Sequence, residues 1–239
     1  MKILKVLLKK ILDFYYLMEL KSKLKNNKYL KKLSIEEILE EYKNPYTLKS
    51  SIIDQINQLN EKEKKEILNK QPYFIFDMWL PSQELKLKAL SVDGFVLKGL
   101  DRISYTTEEM KLVAIKRNPN IIKHIKNPSE LVQLAAVSQD GMLLEYIEGK
   151  KSRIVKLEAV KQNGLAISLI NFKYRTNELG LIAVKQNGLA IQYLSPTEEM
   201  KLEAIKQNPK AIQYIKNPSE ELLKLEKEIM KKEEKNEKK

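Results

Sequence analysis

The chain has 239 residues, 43% of them hydrophobic, with 7 Gly, 8 Pro, a single Trp and a net charge of +12. Scarce turn residues and few aromatics argue against an all-β fold and for helix. The lack of cysteine excludes disulfides and thiolate metal sites in this chain, and the single histidine, His124, excludes a multi-histidine metal centre.

Residues 1–32 carry ten lysines against Asp13 and Glu19, so +8 of the net charge is concentrated there. The segment 1–25 is basic and amphipathic, fit to lie on an anionic membrane, to dock on a partner or to cap the remainder as a helix. Lys9, Lys10 and Asp13 break its apolar run and no small-residue cleavage site follows, so it is not read as a signal peptide. No run of 18 apolar residues occurs, and no transmembrane helix is expected. With no disulfide chemistry either, a cytoplasmic location is expected. Residues 1–60 are read as a basic N-terminal helical cap.

From about residue 61 the chain repeats itself. VKQNGLAI occurs at 160–167 and again at 184–191. Six alanines anchor a wider pattern: Ala89, Ala114, Ala136, Ala159, Ala183 and Ala204, at steps of 25, 22, 23, 24 and 21. Leu stands two positions before each anchor, Asp or Asn four after, and Gly or Pro five after. A seventh, degraded copy is read with Ile67 as its anchor: Pro72 takes the Gly/Pro position, and Phe74, Ile75 and Met78 take the later apolar positions. Trp79, Phe74 and Phe76 are expected to fill the core of this copy.

The positions have physical roles. Thr107, Ser129, Thr197 and Ser219 each precede an acid, the signature of a capped helix start. Apolar residues at −4, −2, 0 and +1 from the anchor cover about half of a helix at about 100° per residue. Asn or Asp followed by Pro or Gly opens a second helix, apolar at +7, +8 and +11, as in Ile121, Ile122 and Ile125. Helices of roughly eight to ten residues are too short to stand alone, so stacking must supply their burial. The expected fold is an all-α solenoid of six to seven helix-turn-helix repeats of 21–25 residues over 61–219, with helical caps at both ends. The charged segment 220–239, with seven Lys against seven Glu, supplies the C-terminal capping helix or tail.

At VKLEAVKQNGLAI and ELGLIAVKQNGLAIQYLS the chain resembles a bacterial and phage repeat family known as domain of unknown function 4116. Its Pro copies, such as LEAIKQNPKAIQYIKNPSEE, look more distantly like leucine-rich-variant repeats. The resemblance spans about 84–222 and implies repeat architecture, with no activity to carry over. The copies at Ala89 and Ala136 depart from its Lys-Gln-Asn core.

Two rows of residues are candidates for contact with a partner. Lys116, Lys161, Lys185 and Lys206 recur at +2, with Arg117 beside the first. They would attract phosphate or an acidic protein, or simply complement helix C-termini. His124, Tyr146, Tyr193 and Tyr214 recur at +10, where they could grip a peptide, stack on bases, or pack at the core margin. No Walker or dinucleotide loop occurs, and His124 has no nucleophile–acid pattern beside it, so no catalytic residue, metal or cofactor is expected. The expected function is non-enzymatic binding of a macromolecule, with a protein as partner. A phage or mobile-element inhibitor of a host system, such as an anti-CRISPR, is one form of it. A nucleic-acid binder using the lysine row is the alternative, an anionic membrane at 1–25 a lesser one, and no small-molecule substrate is expected.

Overall fold

The computed structural model describes residues 33–43, 49–103 and 105–237. The basic arm and any membrane or capping role of residues 1–25 lie outside them. The described residues are helical throughout and fall into two compact units divided after Leu59. No described helix is long and apolar enough to cross a membrane.

The first unit contributes α1 (Ile35–Lys43) and α2 (Lys49–Gln58), which pack on each other, and Ile38, Ile52 and Ile56 are buried. The Ser34 hydroxyl accepts from Glu37 N–H at 3.2 Å and starts α1.

The second unit is an all-α, solenoid-like array. Its α-helices form one row: α3 (Glu61–Lys70), α4 (Gln83–Val92), α6 (Glu108–Arg117), α7 (Glu130–Val137), α8 (Arg153–Gln162), α9 (Asn177–Gln186) and α10 (Glu198–Gln207), each packed on the next. Every one is capped by a side chain that accepts from the third backbone N–H inward: Asn60, Ser82, Thr107, Ser129, Ser152, Thr176 and Thr197. Residues at −4, 0 and +1 are buried in all six alanine-anchored helices. The −2 leucines, expected within the packed face, are only half-buried, and Leu202 is 38% exposed. At about 100° per residue, −2 lies about 60° outside the arc spanned by the other three positions.

The second member of most repeats differs from expectation. It is a five- or six-residue 3-10 helix rather than an α-helix of eight to ten residues: η1 (Pro72–Phe76), η2 (Pro119–His124), η3 (Gly141–Tyr146), η4 (Gly164–Leu169), η6 (Gly188–Tyr193) and η7 (Pro209–Tyr214). The Ala89 repeat alone carries an α-helix here, α5 (Val96–Ile103). A 3-10 helix eclipses side chains every third residue, as at the buried +5, +8 and +11 of the Ala159 repeat (Gly164, Ile167 and Ile170), and +7 is buried beside them in every repeat that carries a 3-10 helix. The 3-10 helices form the second row, with η2, η3, η4, η6 and η7 packed in succession.

Position +13 is a shared corner. Leu80, Asn127, Gly149 and Asn217 all stand there in four different repeats, and they are the described residues with positive φ, at 47°, 45°, 86° and 50°. Asn and Gly tolerate this region, whereas a leucine is strained in it. Leu80 is also 96% exposed, so its side chain gains little from burial. Leu80→Asn is therefore expected to raise stability by about 1 kcal/mol, read as a higher midpoint in chemical denaturation; an unchanged or lower midpoint would contradict the strain. That Leu80 turns this corner ties the Ile67 copy to the same backbone plan as the others.

Neighbouring repeats are also stitched by side chains at +3. Gln162 Oε1 accepts from Gly141 N–H at 2.6 Å while its Nε2 donates to the Gln139 carbonyl at 3.1 Å. Gln186 does the same for Gly164 N–H (2.5 Å) and the Gln162 carbonyl (3.2 Å), and Gln207 accepts from Gly188 N–H. Arg117 occupies this position two repeats before Gln162 and has no acceptor. Its Nε donates to the Val92 carbonyl at 2.8 Å, and Asn118 Oδ1 takes the Gly94 N–H at 2.9 Å. Asn118 consequently makes no capping bond to η2, whereas Asn163, Asn187 and Asn208 each cap their own 3-10 helix.

The array ends on α11 (Glu220–Glu237). Its Leu222 is buried beside Met200, Ala204, Ile205 and Ile215, and Leu225 and Ile229 pack partly against the same cluster.

Candidate binding face

The predicted +2 lysines, Lys116, Lys161, Lys185 and Lys206, are all exposed in the last turn of an α-helix. They are not bare cations throughout. Lys206 Nζ donates to Glu203 at 2.9 Å, and this bond holds the Glu203 carboxyl below its ordinary value, with burial opposing and the charges of Lys206 and Lys185 adding to the effect. Arg117 is exposed but spends its Nε on the stitching bond to Val92, so its first role is in the array.

The +10 residues all lie near the ends of 3-10 helices. Tyr146, Tyr193 and Tyr214 are 43%, 36% and 42% exposed. The Tyr146 ring carries the Lys123 ammonium at 3.9 Å from its centroid. His124 meets the Phe95 ring edge-on at 6.4 Å. Burial, followed by the charges of Lys98 and Lys123, pushes the imidazole below its usual value.

Two grooves run between repeats on the side formed by the ends of the second helices and the first turns of the following α-helices. The first, of about 560 Å³, is lined by Lys98, Arg102, Lys111, Lys123 and Lys126 together with His124, with Asp101 and Glu148 as its acids. Asp101 accepts from the Thr106 hydroxyl at 2.8 Å. The second, of about 590 Å³, has Leu144, Leu157, Leu169, Ile170 and Leu179 among its lining. Its cations are Lys150, Lys151, Arg153, Lys156 and Lys173, and its one acid, Glu178, is bound to Arg153 at 2.6 Å.

Of the predicted site residues, only His124 lines a groove. The lysines that do line the grooves include those at −3: Lys111 and Lys156 enter them from α6 and α8. The signal was present in the sequence, since Lys86, Lys111, Lys156 and Lys201 share that position. It falls inside the buried arc, where a lysine stem packs and its ammonium reaches outward, so a search of outward-facing positions passes over it. Gln133 stands at −3 between Lys111 and Lys156 and is 6% exposed, with Nε2 donating to the Pro128 carbonyl at 2.9 Å.

Beside the second groove the Ala159 repeat carries an extra 3-10 turn, η5 (Phe172–Tyr174). Arg175 fastens it: Nε donates to the Ile170 carbonyl at 2.7 Å, Nη2 to Ser168 at 3.1 Å and Nη1 to the Tyr193 carbonyl. Tyr174, half-exposed on this turn, holds Lys156 at 4.0 Å and Lys173 at 4.9 Å from its ring centroid.

Among the described residues no group of three or more His, Cys, Asp and Glu could hold a metal. No family model, curated protein or solved structure matches the chain.

Proposed function

We propose that this protein is a non-enzymatic binding module that holds a protein partner against the grooved, cationic face of its array. The observation that carries this reading is the cover that groove-lining lysines place on two of the aromatic rings, Tyr146 and Tyr174. Lys123 sits on Tyr146 and Lys156 on Tyr174, at 3.9 and 4.0 Å. Rings in that state are poor platforms for nucleobases, because stacking would first have to displace an ammonium. They remain good walls for a peptide. Electrostatics point to an acidic partner, since cations outnumber acids in both grooves. An inhibitor that a phage or mobile element directs at a host protein is one form of such a module.

The test is affinity purification from cells that carry the gene naturally, with and without nuclease, comparing the wild type with a Lys123→Glu/Lys173→Glu variant. A protein retained by the wild type and lost by the variant is the expected result. Material held only without nuclease, released steeply as salt rises, would replace this reading with nucleic-acid binding.

A further inference from the structure

We infer that the groove between the Ala136, Ala159 and Ala183 repeats takes an acidic peptide segment anchored by an apolar side chain. This deepens the proposed protein-binding role and rests on it.

Three features carry the inference. The first is the division of the groove into an apolar floor and a cationic rim. Leu157 and Leu169, half-buried, offer a surface that gains by excluding water, over Leu144 and Leu179, which the fold already buries. Lys150, Lys156 and Lys173 stand around it with Lys151 and Arg153. A bare polyanion would leave the leucines uncovered, and an uncharged apolar chain would leave the ammonium groups without counter-charge. A segment with Asp or Glu on either side of Leu, Ile, Met or Phe satisfies both.

The second feature is preorganisation. Lys173 and Tyr174 come from η5, an extra turn that Arg175 ties to three backbone carbonyls. In a solenoid the packing positions are common to all repeats, so an insertion held this firmly marks a place where one repeat does something its neighbours do not. A rim fixed in advance loses less entropy when it binds.

The third feature is the internal carboxylate. Glu178 is the acid at this groove, and it bridges to Arg153 across two repeats with both side chains mostly exposed, at 64% and 80%. An exposed pair of this kind is worth little and exchanges readily. It shows that a carboxylate is accepted at the rim, and a partner's carboxylate can take the place of Glu178.

The test is selection of short random peptides displayed on phage against the full chain, followed by fluorescence anisotropy on the enriched peptides. Enrichment of Asp/Glu-flanked apolar residues is expected. A Lys150→Glu/Lys156→Glu/Lys173→Glu variant should weaken the selected peptides by about tenfold or more. Glu178→Gln, a mild change at an exposed site, should tighten them severalfold by removing the internal competitor. Lys224→Glu/Lys227→Glu/Lys231→Glu makes the same change of net charge on exposed residues of α11, and it should leave affinity within twofold. Circular dichroism melts confirm that each variant is folded. Enriched peptides that lack negative charge, or that respond equally to the groove and the α11 reversals, overturn the inference and leave the protein-binding reading intact. Recovery of no peptide, with tight binding of a poly-dT oligonucleotide, overturns both.

Discussion

Phe74→Ala is expected to destabilise the array by about 4 kcal/mol, with the damage confined to its first repeats. Phe74 is 1% exposed and among the largest fully buried side chains. Removing such a ring from a packed site costs about 3–5 kcal/mol, because the cavity collapses only in part. The location shapes the consequence. In a stacked array each repeat leans on its neighbours alone, so stability is lost locally before it is lost globally. Phe76, on the same 3-10 helix, lies against Gly99 of α5 so closely that a β-carbon there would fall 2.2 Å from the ring. Loosening should therefore reach the Ala89 repeat and fade beyond it. Hydrogen exchange followed by mass spectrometry should show protection lost across residues 61–103 and kept across 153–215. Uniform loss along the array would mean that the repeats unfold as one block, and an unchanged exchange pattern would mean that Phe74 is not a core residue.

Gly164→Ala should cost about 3 kcal/mol and act at the middle of the array. A β-carbon at Gly164 would stand 2.4 Å from the Ala183 carbonyl oxygen and 2.9 Å from Gln186 Oε1. The first of these atoms belongs to helix backbone and cannot swing aside. The second is the acceptor for the Gly164 N–H itself. The repeats anchored on Ala159 and Ala183 would have to part, giving up the hydrogen bond as well as the contact. Guanidinium unfolding should then turn from one transition into two as the halves of the array uncouple. A variant within 0.5 kcal/mol of the wild type with a single transition would show that the junction yields. Gly94, Gly141 and Gly188 face the carbonyls of Ala114, Ala159 and Ala204 in the same way, at 2.3, 2.2 and 2.3 Å. The glycine at +5 is thus kept by the repeat that follows it. Pro119 and Pro209, which lack the N–H, stand at +5 without needing such an acceptor.

That contrast separates what the sequence determined by itself from what the tertiary structure decided. The all-helical class, the repeat spacing and the capped helix starts were legible because their causes are local. Thr107 and Ser129 accept from N–H groups three residues along, and Asn163 and Asn187 from those two along. A pattern of caps and apolar positions therefore places these elements without reference to the rest of the chain. The 3-10 form of the second helices was not legible in this way. Their apolar positions suit either helix type, and the choice between them depends on packing against the adjoining repeats. The glutamine stitching joins residues 19–24 apart in sequence, and the replacement of Gln by Arg117 makes sense only once Asn118 is seen to reach Gly94. The grooves were the least legible feature. The +2 lysines recur and face outward, whereas the grooves are walled by lysines at −3, by the loop at Lys150 and Lys151, and by the η5 turn. The physical reason is that a groove belongs to two or three repeats at once. Its residues are brought together by stacking, and no single repeat carries its pattern.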